Sequence, residues 1–103
     1  MSKIMEVIKL PQINVEMEGV SLKVLNVSGE EGMHMPLHHS TREAVVICQR
    51  GSAVLNMDGK EYEISQGNNT IIPAGVEHSL TTHNEFRAYV VMDIKSAIIF
   101  ENN

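Results

Sequence analysis

Apolar and polar positions alternate with a period of two over much of this chain, and turn signals interrupt the alternation at short intervals. The signals are Ser28-Gly29, Gly51-Ser52, Asp58-Gly59, Gly67-Asn68-Asn69, Pro73-Ala74-Gly75 and His83-Asn84, with short runs rich in Val, Ile and Leu between them. Several strands at roughly 8–12-residue spacing predict an all-β sandwich or barrel. No stretch carries apolar residues at helical spacing.

The sharpest local signal is Asp58-Gly59, a two-residue loop that favours a type I′ hairpin turn. It sets Met57 opposite Lys60, Leu55 opposite Tyr62 and Ala53 opposite Ile64 on one mostly apolar face. Ser52, Asn56, Glu61 and Glu63 fall on the other face, as an antiparallel sheet over a core requires. Nearer the C-terminus, Phe86, Ala88, Val90, Met92 and Ile94 alternate with Arg87, Asp93 and Lys95. Residues 44–48, Ala-Val-Val-Ile-Cys, are apolar on both faces. One face can line the interior. The other needs a cover, and a homodimer is the simplest one.

Composition narrows the picture. The 103 residues fit one domain spanning 1–103, and 43% hydrophobic against 20% charged residues is a globular balance. Thirteen acidic and eight basic residues leave a net charge of −5 with no basic cluster, which argues against a nucleic-acid surface. No apolar run approaches the roughly 20 residues of a membrane span. Glu6 and Lys9 break up what would be a signal peptide's apolar stretch, so a cytoplasmic location is expected. The single cysteine, Cys48, rules out an internal disulfide and reads as an inert buried thiol. With two Phe, two Tyr and no Trp, the core must be aliphatic and methionine.

The five histidines are clustered: His34, His38 and His39, then His78 and His83. Residues two apart on a strand share a face. His38 and Ser40 therefore point one way and His39 the other, while His78, Leu80 and Thr82 share a face without His83. Imidazoles converging from two strands can bind a first-row metal, with a carboxylate such as Glu43 as a third ligand, or can hydrogen-bond an organic ligand. Glu43 can equally be a surface carboxylate paired with Arg42 or Arg50.

The segment from Gly67 to Thr82, with Pro73, Gly75 and His78 at fixed spacing, resembles the second motif of the cupin superfamily, except that Thr82 stands where the family has Asn. The first motif is matched by Gly32, His38 and Gly51, but Ala44 occupies its Glu position and Glu43 lies one residue out of register. The resemblance implies a small antiparallel β-barrel of jelly-roll type. It nominates His38, His78, Ser40, Met57, Tyr62 and Met92 as pocket residues. For a divalent metal (zinc, iron, manganese or nickel) it offers His38, His39, Glu43 and His78 as candidates, a set incomplete in register; a bulge between Leu37 and Ala44 would have to turn His39 or Glu43 inward, and the expectation is that the third ligand is missing and an organic ligand meets the two histidines. Three functions follow from this. One is a module binding a small polar or carbohydrate-like molecule, the second a metal-dependent oxygenase or isomerase, and the third a metal-free isomerase with histidine as base.

Overall fold

The computed structural model describes residues 10–101; the reading of residues 1–9 as free of a secretion signal lies outside them. Ten strands follow in chain order: β1 Gln12–Glu18, β2 Leu22–Gly29, β3 His34–Ser40, β4 Ala44–Arg50, β5 Ser52–Met57, β6 Lys60–Ser65, β7 Thr70–Ile72, β8 His78–Thr82, β9 Phe86–Asp93 and β10 Ile98–Phe100. They form two five-stranded antiparallel sheets, ordered β1-β2-β9-β4-β7 and β10-β3-β8-β5-β6. This is the expected jelly roll in open form: the sheets face each other as a sandwich and do not close into one hydrogen-bonded barrel. No helix among the described residues is long and apolar enough to cross a membrane.

The hairpin has the register that its turn demands. Met57 pairs with Lys60, Leu55 with Tyr62 and Ala53 with Ile64. Asp58 and Gly59 both take positive φ, 56° and 70°, as a type I′ turn requires. The inward positions Ala53, Leu55 and Ile64 are at most 2% exposed. They pack with Val27, Val46, Cys48, Phe86 and Ala88 from the opposite sheet. Burial raises the Cys48 thiol pKa, consistent with an inert thiol.

Strand β9 alternates as expected, with Phe86, Ala88 and Met92 buried, but it stops at Asp93 and leaves Ile94 and Lys95 in a turn. The Asp93 carboxylate accepts the Lys95 N–H at 2.7 Å and its carbonyl accepts the Ser96 N–H at 2.9 Å, an Asx-type turn that competes with the ladder. Strand β4 alternates Ala44, Val46 and Cys48 inward against half-buried Val45 and Ile47 outward.

Candidate functional site

The two motif histidines come together at one end of the second sheet. Pro36 has no N–H to give the ladder, and the register slips there: Met35 pairs with Leu80, and the next pair is His38 with His78. The slip is a bulge, with one more residue on β3 than on β8. Met35 and His38, three apart, therefore both face inward, at 4% and 6% exposure. The pairing continues across the sheet as Phe100 to His38, His38 to His78 and His78 to Met57. The two imidazoles meet edge to face with centroids 4.2 Å apart, and Phe100 lies 4.9 Å from His38 at the outer end of the row.

Each imidazole is fixed by its own backbone. His38 Nδ1 lies 2.7 Å from the Pro36 carbonyl and His78 Nδ1 lies 2.9 Å from the Val76 carbonyl. A carbonyl only accepts, so each Nδ1 carries the proton and each Nε2 keeps its lone pair. Neither Nε2 has a hydrogen-bond partner among the described residues. Burial lowers the His38 pKa to about 4; the Pro36 carbonyl opposes this, while His78 and His39 add to it. Burial lowers the His78 pKa too, against the pull of the Val76 carbonyl. Both rings are neutral acceptors at pH 7.

Between the sheets lies a cavity of about 60 Å³ whose polar lining is His38, His78 and Ser40. Its apolar walls include Met35, Ala44, Leu80 and Met92. Of the expected pocket residues, His38, His78, Ser40 and Met92 are therefore present. Met57 is buried beside His78 but does not line the cavity, and Tyr62, further along the hairpin and partly buried, packs against the core.

The candidate metal ligands do not assemble into one set. Glu43 is exposed in the turn before β4, and His39 points out of the sandwich. The bulge falls between Met35 and His38, so it turns neither of them inward. Arg42 and Arg50 pair with Asp93 and Glu85 at 3.4 and 3.6 Å, not with Glu43. At the motif positions the cavity is lined by Ser40 and Ala44, and its lining holds no carboxylate and no third imidazole. Two neutral nitrogens fall short of the three or four protein ligands that a zinc, iron, manganese or nickel site uses, so the residues present do not fit that group.

A separate metal-competent set lies on the outer face. His39, Glu77 and Glu101 bring ligand atoms within 4.8 Å of one another. The Glu77 pKa is raised, chiefly by hydrogen bonding to the Glu101 carboxyl, and His39 Nδ1 is buried without a partner. Sequence reasoning missed Glu77 and Glu101, which are far from His39 along the chain and meet it only through the pairing of β10 and β8 with β3.

Thr82, which stands where the motif has Asn, ties the other end of β8 to the turn between β2 and β3. It is 2% exposed, its hydroxyl accepts the Met33 N–H at 2.9 Å, and it donates to the Glu30 carbonyl. His34 and His83 are exposed, and His34 bonds to Thr81 at 2.9 Å.

This fold and paired-motif geometry define a cupin. The chain belongs to that family: the Cupin domain description matches residues 24–94. Among solved structures, the DMSP lyase DddQ from Ruegeria pomeroyi DSS-3 superposes with a TM-score of 0.79 at 21% identity, over 88% of this chain and 51% of the lyase. This chain thus spans about half of that lyase's length. A cupin superfamily protein from Desulfitobacterium hafniense DCB-2 gives 0.74 at 13% identity, over 89% of this chain and 84% of the other. KdgF from Halomonas sp. gives 0.72 at 14%, over 81% and 77% respectively. At these identities the likeness establishes the fold. No curated protein sequence matches the chain.

Proposed function

We propose that this cupin is a binding module that holds the polar end of a small organic molecule between His38 and His78. The observation that carries the reading is the pair of fixed tautomers. The two Nε2 lone pairs, on rings kept neutral by burial, accept hydrogen bonds from the two hydroxyls of a diol or the two N–H of an amine, and Ser40 supplies a third polar contact. A cavity of about 60 Å³ is far below the ~300 Å³ at which drug-sized pockets begin. Only a few heavy atoms enter, and a carbohydrate-like ligand inserts one polar end while its remainder lies near Phe100.

Metal-free isomerisation is less well supported. A general base works best with a pKa near the operating pH, and burial takes His38 down to about 4. The likeness to the DMSP lyase offers an enzymatic alternative, but the lyase shares only the fold with this chain. A second reading, a divalent-cation site, is favoured by the His39, Glu77 and Glu101 cluster, outside the cavity.

Histidine-selective ¹⁵N NMR with glycerol as probe tests the first reading. Expected are unprotonated Nε2 signals for both rings at pH 7 and a saturable glycerol-dependent shift that is lost in His78→Ala. A protonated Nε2 on either ring, or no shift at saturating glycerol, would overturn it.

A further inference from the structure

Each member of the row Phe100–His38–His78 has a chain neighbour on the outer face of the same sheet. His39 follows His38 on β3, Glu77 precedes His78 at the start of β8, and Glu101 follows Phe100 at the end of β10. Successive side chains on a strand point to opposite faces, so the inner row is backed by Glu101, His39 and Glu77. Their ligand atoms lie within 4.8 Å of one another, and His39 Nδ1 is buried without a partner. The Glu77 and Glu101 carboxyls are close enough to share a hydrogen bond. Two carboxylates at that range repel unless a proton or a cation lies between them. An open groove lined by Leu37, His39, Gly75, Val76 and Glu77 leads to the cluster, with Asp58 adding a further carboxylate at its rim.

Resting on the divalent-cation reading of this cluster, we propose that a zinc-class ion held by His39, Glu77 and Glu101 fastens β10 across β3 to the start of β8, and so closes the cavity beside His38. Donor type selects the ion. An imidazole with two carboxylates suits zinc and its first-row neighbours, whereas calcium and magnesium take oxygen ligands. In a tetrahedral site with bonds of about 2.0–2.1 Å, ligand atoms lie about 3.4 Å apart. Two exposed glutamates reach that spacing from 4.8 Å by rotating their own side chains.

Strand β10 is where such a tie has most effect. It is three residues long and, among the described residues, pairs only with β3 at the edge of its sheet. Ile99 and Phe100 are 45% and 42% exposed, so little apolar burial holds the strand down. Just beyond it the Glu101 N–H donates to the Leu37 carbonyl at 3.0 Å, a bond that breaks whenever the strand end peels away. Yet β10 supplies Ile98 to the cavity lining and sets Phe100 beside His38. Lifting β10 uncovers His38 and that side of the cavity. An ion bridging Glu101 to His39 and Glu77 resists the lift, and in doing so controls entry of a ligand to the inner histidines.

Zinc alone, added to the full chain, is the probe. Isothermal titration is expected to show one ion per chain, with magnesium not binding in the same range. Binding is expected to be lost in His39→Ala and weakened ~10-fold or more in Glu101→Gln, with both variants native by circular dichroism. Backbone hydrogen exchange followed by NMR reads the fastening itself. At zinc about 100 times its Kd, exchange of the Glu101 amide is expected to slow about 100-fold, because the opening that frees this amide also takes Glu101 off the ion. Glu101→Gln is expected to lose that protection even where zinc still binds. Zinc bound through His39 that leaves this exchange rate unchanged would overturn the fastening of β10 while the cation reading stands. No zinc binding, or binding insensitive to both substitutions, would overturn both.

Discussion

At the scale of single residues, the site is a matter of which nitrogen carries a proton. His38 and His78 each spend Nδ1 on a carbonyl two residues back, so the tautomer is set locally, while the sheets set the dielectric around the rings. This has a consequence for stability. The His38 pKa falls from an ordinary 6.5 to about 4 in the folded chain. Between those values the unfolded state binds more protons than the folded one, so stability rises with pH across that window and is lost as pH falls through it. His78 acts in the same direction. Urea denaturation is expected to show a loss between pH 6.5 and 4 to which His38 contributes about 2–3 kcal/mol. In His38→Gln, which has nothing to protonate, that loss should shrink to His78's share. A pH profile unchanged by the substitution would show that His38 is not held neutral by burial.

At the scale of elements, the turns fix the phase of the strands and therefore what faces inward. Asp58-Gly59 imposes a register that buries Ala53, Leu55 and Ile64. Gly59→Val puts a β-branched side chain at a φ of 70° and is expected to cost about 1–3 kcal/mol through strain. A Cβ at Gly59 meets nothing within 4 Å, so strain is the whole effect there. Gly51, which ends the first cupin motif, is a sterner case. It also has positive φ, and a Cβ there collides with the Glu85 carbonyl and the Asn84 side chain. Gly51→Ala is expected to cost about 3 kcal/mol or more. Thermal melts of the two variants should therefore rank Gly51→Ala below Gly59→Val, although alanine is the smaller addition. The reverse order would mean that the β4–β5 connection relaxes freely.

At the scale of the whole molecule, the two faces of the sandwich separate two kinds of chemistry. The interior keeps two of the family's metal positions and fills the others with Ser40 and Ala44, while the exterior gathers His39, Glu77 and Glu101. A zinc titration distinguishes them. Binding at the interior is expected to be weak and little changed by His78→Ala. Any zinc that does bind is expected to be lost in His39→Ala. Tight, stoichiometric binding abolished by His78→Ala would instead make the interior a metal centre and displace the binding-module reading.

The sequence by itself determined what short-range rules govern. Alternation, the Asp58-Gly59 turn and the spacing from Gly67 to His78 sufficed for the strands, the hairpin register and the cupin fold. They also sufficed to put His38 with Ser40, and His78 with Leu80, on shared faces, because residues two apart on a strand point the same way. Tertiary structure decided whatever depends on a slip in that count or on residues distant in sequence. The bulge at Pro36, for which the proline was the available signal, put Met35 and His38 on the same face. Met57 and Tyr62 have the right parity and pair with His78 and Leu55, which line the cavity, yet neither lines it itself. His39 meets Glu77 and Glu101 only because strand order brings separate segments side by side. A period of two says which face a residue takes; which strands are neighbours is settled by closing long loops around a shared core.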